Sequence, residues 1–279
     1  MTTLAATLQG LRRYPTVAVG GILIALVTLA ALLAPWISGD PLLLEPVNRL
    51  KAPSAEFWLG TDSLGRDVYA RLVHGARISL LVGVSVAAVA VLAGALAGLL
   101  AGYFPRVDAV LMRVMDGVMA IPAILLAIAL VALLGASVKV VIIAIAIPEV
   151  PRVCRLVRSV VLSVRNLPYV EAARSNGTRV VTLLRRHILP STVPPLIVQA
   201  TYICASAILT EAGLSFLGAG TPPEFPTWGN MIASNRMFLM LAPWTVFAPG
   251  VCLALVVLAV NLLGDGLRDR LDPRISRSM

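Results

Sequence analysis

The sequence predicts an all-α integral membrane protein of six transmembrane helices, on three observations. Only 13% of residues are charged, 58% are hydrophobic and the mean hydropathy is +0.90, whereas a soluble domain carries about a quarter charged residues. The apolar residues fall in runs of the roughly 20 residues that carry a helix across about 30 Å of hydrocarbon. The cations gather on alternate connecting segments, as the topology of a multi-pass protein requires.

The first span is expected from Val17 to Ile37, behind Arg12 and Arg13. It is longer than the apolar core of a signal peptide, about 7 to 15 residues, and so reads as an uncleaved helix. From Ser38 to His74 the chain is polar and broken by Pro41, Pro46 and Pro53, an external loop. The second span, Ile78 to Phe104, carries Gly83, Gly94, Gly98 and Gly102, which allow close helix approach. A third runs from Val114 to Leu134, interrupted by Pro122, and a fourth starts near Val138, with a kink expected at Pro148 and Pro151. After the polar stretch Arg152 to His187 come a fifth span, Val193 to Leu214, a loop with Pro222, Pro223 and Pro226, and a sixth span, Trp244 to Leu263. A charged tail closes the chain.

Counting Lys and Arg on alternate sides places 16 of the 23 on one side, including Arg12, Arg13, Arg152 to Arg186 and Arg268 to Arg277. That side is cytoplasmic by the positive-inside rule, with both termini on it. The formal charge of +9 is thereby explained by topology, and no nucleic acid partner is needed. Cys154, Cys204 and Cys252 are odd in number and far apart, which argues against a disulfide framework or a zinc site. His74 and His187, the only histidines, leave a bis-histidine haem helix little to work with.

The segment from Arg152 to His187 is the most informative. Arg152, Arg155 and Arg158 form a stripe on one helical face, read as solvated or set against lipid headgroups. Asn166-Leu167-Pro168 marks a helix start, with Glu171 in the first turn where the helix dipole favours an acid. Gly177 followed by Thr178 reads as one helix ending and the next beginning. Two short helices leading into a span make a compact cytoplasmic knob, suited to docking a partner.

Two acids fall in or beside spans. A charge at the centre of a membrane helix costs about 2.5 to 3.5 kcal/mol on insertion scales, so such residues face a partner or a wet cavity. Glu149 has Arg152 three residues on, whereas Glu211 has no evident local partner. Glu211 is therefore a candidate for the translocation path or a subunit contact, with Thr201, Ser206 and Thr210 on the same span as candidate path residues or as helix-packing groups.

On these residues the chain reaches a family resemblance. Glu171-Ala172-Ala173, Gly177 and Ile188-Leu189-Pro190 resemble the EAA loop of ABC importer permeases, with His187 replacing the aliphatic residue usual three positions before the proline. Leu59-Gly60-Thr61-Asp62 through Arg66-Asp67 to Gly75-Ala76-Arg77-Ile78, Gly213-Leu214-Ser215-Phe216-Leu217-Gly218, and Asn261 to Asp269 are similar to stretches of dipeptide and oligopeptide permeases, specifically the second permease of the pair. The resemblance implies a type I ABC importer permease fold. Residues 1–77 would form the N-terminal segment, first helix and external loop, and residues 78–279 the core of five helices with its coupling loop at about 166–190.

It also implies a bacterial cytoplasmic membrane location, a heterodimer with a paralogous permease, two ATPase subunits that hold ATP and magnesium, and an external peptide-binding protein. This chain would bind no cofactor, and lipid would be its solvent. Nickel or another small solute is the alternative cargo within the family. The Thr61 to Asp67 stretch reads as a hydrogen-bonded turn in which Asp62, Arg66 and Asp67 pair with one another, and Gly213 to Gly218 as a helix end.

Other classes fare worse. A P-loop needs Gly-Lys followed by Ser or Thr, but the two lysines, Lys51 and Lys139, follow Leu50 and Val138. A serine protease using Ser215 needs a histidine within reach, and His187 is expected on the opposite side. An ion-coupled secondary transporter would often show inverted repeats, which this sequence lacks.

Overall fold

A computed structural model describes residues 15–271. Arg12, Arg13, Arg274 and Arg277 of the cation count lie outside the described residues. Ten α-helices make up the described chain: α1 (Pro15–Ile37), α2 (Val68–Tyr103), α3 (Pro105–Ala120), α4 (Ala123–Leu134), α5 (Val138–Val164), α6 (Pro168–Ser175), α7 (Val180–Leu183), α8 (Leu189–Phe216), α9 (Trp228–Asn235) and α10 (Trp244–Leu271).

The expected first, second, fifth and sixth spans appear as Pro15–Ile37, Val68–Tyr103, Val180–Phe216 and Trp244–Leu271, each long and apolar enough to cross a membrane. The expected third span is not one straight helix. It is the pair α3 and α4, bent by 88°, and counts as a fifth crossing only as a broken span. Pro122 causes the break, because a residue before proline is pushed out of the helical region; Ile121 accordingly sits at φ −91°, ψ 128°. The expected fourth span, α5, is 27 residues long and runs unbroken through Pro148 and Pro151. Lys139, Glu149, Arg152, Arg155 and Arg158 charge it, so by composition it does not join the others. Length and apolarity alone thus give four or five crossings, not six.

The most extensive helix contact is between α2 and α5. Gly94, Gly98 and Gly102 recur every four residues on α2 and let α5 approach at backbone distance. A Cβ added at Gly98 would lie 2.6 Å from the Cys154 carbonyl oxygen and 2.7 Å from the Val157 Cβ. Val82, Val86, Val153, Val157, Val161 and Ile203 fill the core around this contact, all buried. The helix α1 packs outside it, mainly on α10.

The expected loop Ser38 to His74 is helical from Val68 onward, a correction with an electrostatic reason. The Asp67 carboxylate accepts the Tyr69 N–H at 2.9 Å and caps α2, so it does not pair with Asp62 or Arg66. Burial raises the Asp67 pKa, with the backbone N–H groups of Tyr69 and Ala70 opposing the shift. Asp62 takes Arg66 Nε at 2.7 Å and lies 3.8 Å from Arg71 Nε, so the charges of this stretch are buried together. The loop is clasped to the far end of the chain: Trp244 Nε1 donates to the Thr61 carbonyl (3.2 Å) and the Ser63 N–H to Asn235 Oδ1 (3.1 Å).

Candidate functional site: the knob between α5 and α8

The knob is built by local rules and then anchored by three apolar side chains. Pro168 occupies the first turn of α6, where its missing N–H costs nothing, and Leu167 precedes it in extended conformation. Glu171 lies in that first turn and is exposed, beside the positive end of the helix. The helix ends at Gly177, φ +74°, with the Thr178 N–H donating to Ala173 O (3.1 Å) and the Gly177 N–H to Arg174 O (3.0 Å). These are the two bonds of a Schellman motif, which needs a left-handed residue at this place. The next helix starts later than the sequence suggested: Arg179, not Thr178, is its N-cap residue.

Val170 and Ile188 are fully buried and Leu183 is 1% exposed; all three join the apolar cluster of Val157, Val161 and Val164. The knob is therefore anchored in the apolar core of the bundle. Tyr169 donates its hydroxyl to the His187 carbonyl (3.3 Å), and the Arg165 guanidinium donates to the Gly102 carbonyl of α2 (2.9 Å). Between α7 and α8 the turn Leu184–Ile188 is wound as a π-helix, its cap bond running from the Leu189 N–H to Leu184 O. Pro190 follows immediately in the first turn of α8, where it can donate no bond, and a widened turn is a common accommodation at such a point.

The seven residues singled out from sequence divide by burial. Glu171, Ala172, Gly177 and Pro190 are exposed, Ala173 and Leu189 are half-buried, and Ile188 is an internal anchor. Arg174, Arg179, Arg185 and Arg186 of the same segment are exposed too, four cations to the one acid, Glu171.

The arginine stripe of α5 is not simply solvated. Arg158 makes two bonds to Asp108 of α3 (2.5 and 2.6 Å), Arg155 reaches Asp116 of α3 at 2.6 Å, and Arg152 pairs with Glu149 at 3.1 Å as anticipated. Asp108 and Asp116 went unnoticed in the sequence. Their spacing of eight places both on one flank of α3, but only the fold reveals the facing arginines.

The four candidate path residues do not share a face. At about 100° per residue they spread round most of α8, with only Ser206 and Thr210 within about 40° of each other. Thr201 packs against α10, where a Cβ on Gly264 would collide with its hydroxyl. Glu211 is 1% exposed and has partners the sequence reading missed. Its Oε1 accepts the hydroxyls of Ser215 (2.8 Å), Thr227 (3.0 Å) and Thr221 (3.1 Å). Thr227 also accepts the Asn230 N–H and caps α9. Glu211 thus ties the end of α8 to the loop before α9. Ser215, spent on this carboxylate, is no free nucleophile.

Comparison with known proteins agrees with this architecture. Residues 90–277 match the family model described as binding-protein-dependent transport system inner membrane component. A Sinorhizobium fredii protein named as a probable peptide ABC transporter permease is 60% identical over 95% of this chain and 91% of its own length. The dipeptide transport system permease of Alkalihalophilus pseudofirmus is 46% identical, over 92% of this chain and 85% of its own length. A glutathione transport system permease of Pectobacterium atrosepticum is 42% identical over 95% of this chain and 89% of its own length. Among solved structures, a chain of the inward-facing MetNI methionine ABC transporter superposes with a TM-score of 0.55 at 18% identity, covering 75% of this chain and 95% of that one, a likeness of fold. With most of its length matched both by the family model and by these relatives, the chain belongs to the family of inner membrane components of binding-protein-dependent transport systems.

Proposed function

We propose that this chain is one permease subunit of an ATP-driven importer of di- and oligopeptides. The observation that carries the proposal is the knob: an exposed Glu171 to Gly177 surface on a helix whose buried face is bolted to the membrane core. A force applied to such a surface moves the end of α5, and α5 moves α2. Relatives named as peptide and dipeptide permeases, 46% to 60% identical, supply the cargo.

In this reading α5 is the remaining crossing, its charged half lying at the cytoplasmic interface, so that α1, α2, the α3–α4 pair, α5, α8 and α10 make six. Both termini face the cytoplasm, with residues 1–77 peripheral and 78–279 the core. A paralogous permease completes the path, along which Ser206 and Thr210 of α8 lie, and two ATPase subunits carrying ATP and magnesium dock on the knobs. An external binding protein delivers peptide to the clasped loop and the α9 region. ATP does work only if the knob contact differs in free energy between inward- and outward-facing states.

The test is reconstitution of the complex, purified with its neighbouring subunits, into proteoliposomes. Peptide uptake should require ATP and the binding protein, and a cysteine at Asn176 should react with an impermeant reagent from the ATPase side alone. Uptake that survives ATP removal and collapses with a proton gradient would refute the proposal, as would labelling of that cysteine from the opposite side.

A further inference from the structure

The helix α2 is 36 residues long, about 54 Å, against about 30 Å of hydrocarbon, so part of it stands outside the membrane. Arg77 is the last charge before a run free of charge from Ile78 to Phe104, and Asp40 is the first after the uncharged α1. Those two residues mark one membrane border. At that border a groove of about 620 Å³ lies between α1 and α2, a volume typical of small-molecule sites. Leu32, Ile78 and Leu81 form its apolar side, and Leu32 and Leu81 are more than half exposed.

Its polar lining has both signs: His74 and Arg77 from α2, and Glu224 from the loop before α9. Neither Arg77 nor Glu224 forms an ion pair among the described residues. Arg77 stands on the side where positive charge is scarce. An apolar floor open to hydrocarbon with a two-signed head is complementary to one occupant, a phospholipid carrying both a phosphate and an ammonium.

We propose that this groove is a binding site for a zwitterionic phospholipid of the phosphatidylethanolamine type. Arg77 holds the phosphate, Glu224 accepts from the ammonium, and an acyl chain lies along Leu32 and Leu81. A partner's transmembrane segment would fill the apolar part but leave the charges of Arg77 and Glu224 against hydrocarbon. Phosphatidylglycerol, an anionic lipid, would satisfy Arg77 equally but offer Glu224 a neutral glycerol in place of an ammonium.

The test is native mass spectrometry of the purified complex, titrated with phosphatidylethanolamine, phosphatidylglycerol and phosphatidylcholine. The unaltered complex should retain phosphatidylethanolamine about tenfold better than phosphatidylglycerol, as one charge-assisted bond allows. Arg77→Gln should lose retention of all three lipids by a similar factor, and Glu224→Gln should erase the preference for phosphatidylethanolamine. Equal retention by the unaltered and Arg77→Gln complexes, or a preference for phosphatidylglycerol, overturns the site. Indifference to Glu224→Gln overturns the zwitterionic assignment. A photo-crosslinking residue replacing Leu81 in native membranes should capture lipid, and capture of a protein segment there instead overturns the proposal.

Discussion

Replacing Gly177 perturbs the knob through its backbone alone. The residue sits at φ +74°, and a Cβ added there meets no atom within 4 Å, so a side chain is sterically free while the conformation is not. An L-residue in the left-handed region costs about 1 to 2 kcal/mol, with Asn among the residues that visit it routinely. That cost acts against the two bonds to Ala173 O and Arg174 O that end α6. If the ATPase recognises only this ended form, the affinity of the permease pair for the ATPase falls about 5- to 30-fold in Gly177→Ala and further in β-branched Gly177→Val. Gly177→Asn should stay near the unaltered protein. The assay is equilibrium binding of the purified ATPase to the permease pair in nanodiscs, with ATP-dependent uptake measured alongside and thermal unfolding as control. Equal binding by Gly177→Val and the unaltered protein refutes the docking argument. Damage by Asn equal to that by Val refutes the backbone explanation, since space around the site is open.

At Gly98, the Cβ of Gly98→Ala must displace the Cys154 carbonyl or Val157, so thermal unfolding should report a loss of about 1 to 3 kcal/mol, whereas the same change at Gly117, which meets nothing, should report no clash penalty. The part-buried Arg158–Asp108 pair should show a coupling of about 1 kcal/mol in a double-mutant cycle with Arg158→Gln and Asp108→Asn, read by unfolding; zero coupling would mean that α3 is held by other contacts. Glu211→Ala strips one acceptor from three buried hydroxyls and should cost about 1 to 3 kcal/mol, while Glu211→Gln keeps an acceptor oxygen and should preserve both stability and uptake. Abolished uptake in a stable Glu211→Gln protein would place the carboxylate on the translocation path.

The helices and the knob were legible in the chain because their determinants are local. A charge-free run of about 20 residues has few stable states in water, and Pro168 and Gly177 punctuate α6 whatever surrounds them. The right angle at Ile121 was half legible: Pro122 announced a break, but neighbouring helices set its size. Long-range pairing was not legible. Arg158 meets Asp108 across 50 positions and Glu211 gathers Thr221 and Thr227 from a loop beyond its own helix, so tertiary structure decided that part of a stripe read as solvated or lipid-facing latches α5 to α3 and that an acid with no evident local partner is held by three hydroxyls. Periodicity and punctuation act within a few residues of chain, whereas the choice of partner for a charge in a low-dielectric bundle is settled only when the helices have packed.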